Sequence, residues 1–150
     1  MSRRSTLPFG QLSRLQELAA LESRRAVEEA VAETDQRTQS AEHQARQLAR
    51  AEADFVALHA EDALCPARLA LSGALLTASE QALRREQGAL ASAQEAETLA
   101  STEWLLDLHR KDWFADRARE QAKIAQRGRD AKAEESARSL RIAQKEGRTA

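Results

Sequence analysis

The run Ala63-Leu64-Cys65-Pro66-Ala67-Arg68-Leu69-Ala70-Leu71-Ser72-Gly73-Ala74-Leu75-Leu76 holds the only internal X-Pro step of the chain. A residue before proline avoids the α region, and proline suits the first turn of a new helix. The run therefore divides the sequence. Upstream, from Gln11 to Asp62, there is no Gly or Pro, and Ala, Leu, Glu, Gln and Arg dominate. These are good helix formers. Glu33/Arg37 and Glu42/Arg46 add acidic-before-basic pairs at i,i+4. Downstream, a second helical stretch runs to Glu146, where Gly147 can stop it. The expected organisation over 1–150 is a single helical hairpin: helix 1 about 8–62, turn about 63–66, helix 2 about 67–146.

Composition agrees. Leu, Val, Ile and Phe make up 27 of 150 residues, while Ala alone contributes 32. Alanine buries too little area to build a thick core. The charged residues, 23 basic and 24 acidic, nearly cancel, which is not the signature of disorder. Five aromatics argue against an all-β fold. A long, Ala-rich, coiled-coil protein fits these numbers.

Periodicity sharpens this. Leu69, Leu76, Leu83 and Leu90 recur every seven residues, and Trp104 continues the series after Glu97. Upstream, Val27, Thr34, Ala41, Leu48 and Phe55 are also seven apart, with Val31, Thr38 and Ala45 interleaved. Steps of four and three define the seam of a left-handed coiled coil. The expected fold class is all-α, a long antiparallel two-helix coiled coil. Folding about Cys65-Pro66 pairs Phe55 with Leu76, Leu48 with Leu83, Ala41 with Leu90 and Val27 with Trp104, and makes Thr34 and Glu97 a polar layer. Other registers of the same period stay open. Leu12, Leu15, Leu18 and Leu21 lie out of phase with Val27, which predicts a local stutter that unwinds the supercoil, and the same register sets Leu18 near Trp113.

Charge is uneven. Residues 1–25 carry five basic and two acidic side chains, 117–145 nine and four, and 61–100 three and six. Such a pattern concerns partners and steering, not fold. The basic stretch Arg117 to Lys145 is interrupted by Glu120, Asp130, Glu134 and Glu135 and has no aromatics for base stacking, which favours an ordinary helix surface over a nucleic-acid face.

Catalytic chemistry is sparse. His43, His59 and His109 are scattered, with no second His or Cys at metal-ligand spacing. The lone Cys65 has no neighbouring base and no disulfide partner, which agrees with a reducing compartment. Asp112 and Asp116 read as a solvated face. No glycine-rich phosphate loop and no apolar run of bilayer length occur. The expectation is a cytoplasmic, non-enzymatic protein without cofactor, metal, membrane span or nucleic-acid partner.

The N-terminal run Phe9-Gly10-Gln11-Leu12-Ser13-Arg14-Leu15-Gln16-Glu17-Leu18, with its R-L-Q-x-L pattern, followed by Leu21-Glu22-Ser23-Arg24-Arg25, resembles the start of the FliJ/YscO family. Leu108-His109-Arg110-Lys111-Asp112-Trp113 to Arg119-Glu120-Gln121-Ala122 is similar to the family's charged second helix. The Ala-richness, Pro66 and the apolar run Leu69–Leu76 depart from it. The resemblance implies a central stalk of a type III secretion export apparatus, flagellar or injectisome. Such a stalk enters a hexameric ATPase ring at its open end and reaches the export gate at the cytoplasmic face of the inner membrane. Export chaperones are further partners it implies, and the stalk alone is expected to be a monomer. From charge and exposure we assign Arg14, Arg117, Arg119, Lys123 and Arg127 to the ring, and Leu69, Leu71 and Leu75 to the gate. The alternative is a generic homodimeric coiled-coil scaffold or tether joined through the Leu69–Leu90 series.

Overall fold

The computed structural model describes residues 9–61, 63 and 65–148. Two helices, α1 (Phe9–His59) and α2 (Pro66–Glu146), pack against each other as a helical hairpin, with no strand among the described residues. No helix is long and apolar enough to cross a membrane.

Both helix ends at the reversal have local causes. Ala60 N donates to Ala57 O at 3.2 Å, a tightened last turn that closes α1 at His59. Pro66 is the first residue of α2, where its missing N–H costs nothing. Leu69 N donates to Cys65 O at 3.0 Å and completes the first turn. The reversal thus precedes Pro66 instead of ending on it. Residues 8 and 62, the expected bounds of helix 1, lie outside the described residues.

Contacts group into two compact units: Glu22–Leu105, which holds the reversal, and Met1–Leu21 with Leu106–Ala150. In the first, partly buried positions repeat every seven residues on each helix. On α1 they are Val27, Thr34, Ala41, Leu48 and Phe55, as the spacing predicts, but the interleaved series is Ser23, Ala30, Arg37, Gln44, Ala51 and Leu58. Of the row expected between them, Thr38 is partly buried, whereas Val31 is 38% exposed and Ala45 is exposed as well. The correction is one of step order. Three residues, not four, separate Val27 from its neighbour in the seam, so small and polar side chains occupy the second row. On α2 the leucines 69, 76, 83 and 90 and Trp104 are partly buried, alternating with Ser72, Ser79, Glu86, Ala93 and Ala100.

Register is set by one contact. Arg37 Nη1 lies 3.8 Å from Glu86 Oε2. Folding about Cys65-Pro66 would have put Arg37 in the layer of Ala93, one heptad beyond Glu86. The seam is therefore displaced by one heptad from the expected pairing. Phe55 stands level with Leu69, Leu48 with Leu76, Ala41 with Leu83, Thr34 with Leu90 and Val27 with Glu97. The ring of Phe55 also lies beside Gly73, 3.7 Å from where a Cβ would stand. The physical reason is the reversal just described. Closing the turn before Pro66 moves the midpoint by half a heptad, and the pairing by a whole one. The polar layer is Arg37 with Glu86, not Thr34 with Glu97. Thr34 and Thr38 instead donate to Ala30 O and Thr34 O at 3.0 and 2.9 Å, which satisfies their hydroxyls within α1.

In the second unit the seven-residue repeat continues without a stutter. Phe9, Ser13 and Gln16 are partly buried and Ala20 is 6% exposed. Opposite them Asp107, Lys111, Phe114 and Ala118 are partly buried. Of the four leucines expected to form the shifted stripe, Leu12 is partly buried, while Leu15, Leu18 and Leu21 are 55–58% exposed. The expected phase shift is absent, and so is the pairing of Leu18 with Trp113. It is Phe9 that packs on Trp113 and Phe114, with ring centroids 6.2 and 6.3 Å away. An in-phase aromatic contact of this kind contributes about 0.5–1.5 kcal/mol beyond its buried area. Following the leucines inward would sacrifice it and unwind the supercoil locally.

Both seams are thin. Ala20, Ala93 and Ser72 are the only buried residues among those described. Small side chains let the helices approach closely, while the half-buried leucines supply most of the apolar area.

Candidate partner-binding surfaces

Two surfaces combine exposed apolar groups with charge. The first lies at the reversal, in the Glu22–Leu105 unit. A shallow groove of ≈ 380 Å³ is lined by Asp54, Ala57, Leu58, Glu61, Arg68, Leu71, Ser72 and Leu75. Leu71 and Leu75 project from consecutive turns of α2 and are 64% and 57% exposed. Leu69, assigned to the gate with them, is partly buried in the seam instead. A seven-residue period cannot place 69, 71 and 75 on one face. Arg68 reaches Glu61 at 3.4 Å, while Asp54 makes no ion pair among the described residues. The groove therefore offers apolar walls with a free carboxylate on the rim.

The second surface lies in the unit that contains Phe9 and Trp113. Trp113 and Phe114 meet edge to face at 4.9 Å, and Arg117 Cζ lies 5.3 Å from the Trp113 ring centroid. Arg117 also donates to Glu120 Oε2 at 3.0 Å. Trp113 is still half exposed. Grooves of ≈ 380 and ≈ 340 Å³ flank it, one lined by Phe9, Arg117, Gln121 and Ile124, the other by His109, Arg110 and Phe114.

Beyond Ala118 every described residue of α2 is exposed. A helix of 3.6 residues per turn collects Arg119, Lys123 and Arg127 on one stripe, and Arg138, Arg141 and Lys145 return to it after Asp130 and Glu134. Arg119 is tied to Asp116 at 3.1 Å on its own helix. Lys123, Arg127 and, on α1, Arg14 make no ion pair among the described residues. Of the five cations assigned to the ring, the helix itself thus neutralises two in part and leaves three available.

Hydropathy did not find Trp113 as the centre of an aromatic cluster, because its partner Phe9 is distant in sequence. Arg37 is the other residue missed. Its Nε donates to Glu33 Oε1 at 2.7 Å. That bond and the Glu33 charge hold the guanidinium's pKa above its ordinary value; burial opposes them and Glu86 adds to them. Glu86 Oε2 is buried without a hydrogen bond, since 3.8 Å is too long for one. The acidic-before-basic spacing of Glu33 and Arg37 was a signal for their pair. Nothing in it pointed to Glu86.

No cluster of three His, Cys, Asp or Glu suited to a metal occurs among the described residues. Cys65 is exposed and free. No protein-family model matches the chain, and neither a curated protein nor a solved structure matches it.

Proposed function

We propose that this chain is a non-enzymatic central stalk of a type III secretion export apparatus, working in the cytoplasm at the inner membrane. In this reading it links a hexameric ATPase ring to the export gate. The observation that carries the reading is the asymmetry of the hairpin. α1 supplies 51 residues and α2 81, and the excess of α2 is a bare, basic helix. That stretch buries no face against α1, and burying such a face is where most helical stability in proteins comes from. It suits insertion into a channel lined by carboxylates, where Arg117, Arg119, Lys123 and Arg127 would sit, with Arg14 beside them. The groove at the reversal, through Leu71 and Leu75, is the surface that would meet the gate or an export chaperone. The likeness of Phe9–Arg25 and Leu108–Ala122 to FliJ/YscO sequences supplies the specific partners.

The alternative, a homodimeric tether, relies on Leu69, Leu76, Leu83 and Leu90. Those leucines are partly buried, so pairing with α1 competes for the face that reading needs.

Copurification with a secretion-type ATPase, read together with ATP turnover, tests the proposal. Wild-type chain should bind the hexamer and raise turnover. Arg119→Glu with Lys123→Glu should lower both at least tenfold. Absence of binding by the wild-type chain would refute the stalk reading. Unchanged binding by the double reversal would refute the site assignment alone.

A further inference from the structure

The four leucines of α2 are chemically identical and exactly one heptad apart, so the hairpin has two registers of nearly equal apolar content. In the register described, Phe55, Leu48 and Ala41 stand level with Leu69, Leu76 and Leu83. Sliding α1 by seven residues sets the same three side chains level with Leu76, Leu83 and Leu90. A repeat cannot distinguish these states by hydrophobic burial. Something else must select one.

Two groups of side chains do. In the Glu22–Leu105 unit, Arg37 faces Glu86 at 3.8 Å, and the slide would put Ala93 in its place. In the other unit, Phe9 packs on Trp113 and Phe114, and the slide would put Gln121 there. A polar residue at a seam position specifies register at some cost in stability. Here Glu86 Oε2 is buried without a hydrogen bond, a cost the second register relieves by setting Glu86 level with Gln44, whose amide can donate.

The reversal can accommodate the slide. Ala60, Glu61 and Ala63 are good helix formers in sequence, so α1 can lengthen by a turn, while α2 shortens from Pro66 toward Leu69. The losses are the Glu61–Arg68 pair at 3.4 Å and the Leu69 N to Cys65 O bond. An exposed ion pair contributes little.

We infer that the chain is a two-register hairpin, held in one register by Arg37–Glu86 and by the Phe9–Trp113–Phe114 cluster, and free to slide one heptad when both are released. The inference does not depend on the stalk reading. Within that reading, a partner that engages Trp113 would release one of the two restraints.

Disulfide trapping tests this on the full chain with Cys65→Ser. Ala51→Cys with Ser72→Cys reports the register described, and Ala51→Cys with Ser79→Cys reports the second. All three sites carry small seam residues, so the probes disturb packing little. With both restraints intact, only the first pair should oxidise. Adding Phe9→Ala, Arg37→Ala and Glu86→Ala should raise oxidation of the second pair at least tenfold. Restoring charge with Arg37→Glu and Glu86→Arg in the Phe9→Ala chain should suppress it again. A second pair that stays at background in the released chain, while circular dichroism shows the helix intact, overturns the inference. So does an equal rise in the outward pair Ala51→Cys with Leu75→Cys, which would signal general loosening. Failure of the ATPase experiment would leave these outcomes unaffected.

Discussion

The Glu22–Leu105 unit and the stretch of α2 beyond Ala118 use the same alphabet of Ala, Glu, Gln, Arg and Lys, yet their helices persist for different reasons. In the first, Leu48 and Phe55 on α1 and Leu69, Leu76, Leu83 and Leu90 on α2 recur at heptad spacing and are partly buried. In the second, Ile124, Leu140 and Ile142 are 58–68% exposed; Ile124 and Ile142 share a stripe but stand five turns apart, and Leu140 lies on the far side of the helix. That stretch relies on alanine propensity and on local bonds such as Gln126 to Asp130 at 2.8 Å and Arg129 to Gln126 at 2.7 Å. The lesson is that helix content and helix stability separate once the partner helix ends.

The comparison can be broken most forcefully in the seam. Leu83→Asp puts a carboxylate among half-buried apolar groups and should cost about 2–4 kcal/mol, read as a lower midpoint in thermal unfolding. The same change at Leu140 should leave that midpoint where it is. Truncating Leu76 to Ala should cost about 1–2 kcal/mol, less than for a fully buried leucine because the seam is thin. Hydrogen exchange sharpens the contrast without mutation. Amides of residues 119–146 should exchange at least a hundredfold faster than those of 72–100, and equal protection would contradict the separation drawn here.

Glycines give a smaller and more diagnostic effect. A Cβ at Gly88 or Gly128 would meet nothing within 4 Å, and one at Gly73 would touch the Phe55 ring at an ordinary 3.7 Å. Replacement by Ala should therefore favour the helix by about 1 kcal/mol at each position. Gly88→Ala and Gly73→Ala should raise the melting midpoint of the paired unit. Gly128→Ala should raise only the protection of residues 119–146. The smallest change expected is Glu28→Ala, which removes the exposed pair with Arg24 at 2.9 Å and should shift stability by under about 0.5 kcal/mol.

Much of the seam was legible from spacing, because Leu48, Phe55, Leu76, Leu83 and Leu90 are large and recur with the right period. Its second row was not. Ser23, Ala30, Arg37 and Gln44 carry no hydropathy signal, and Val31 attracted the assignment that belonged to Ala30. Leu15, Leu18 and Leu21 misled in the opposite direction. Their hydropathy predicted a seam, but Phe9 gained more by staying in phase with Trp113 and Phe114. Of the two candidate surfaces, exposure of Leu71 and Leu75 could be anticipated from their offset to the heptad. The aromatic cluster required knowledge of which residues meet across the hairpin.

From its sequence alone the protein is committed to two helices that reverse near Pro66 and pair along a seven-residue repeat, because alanine propensity, an isolated proline and heptad leucines act locally. Which heptad meets which was decided only by the folded chain. A repeat is invariant to sliding by its own period, so the choice passes to contacts that are not repeated: the turn ahead of Pro66, the Arg37–Glu86 layer and the edge-to-face packing of Phe9 on Trp113.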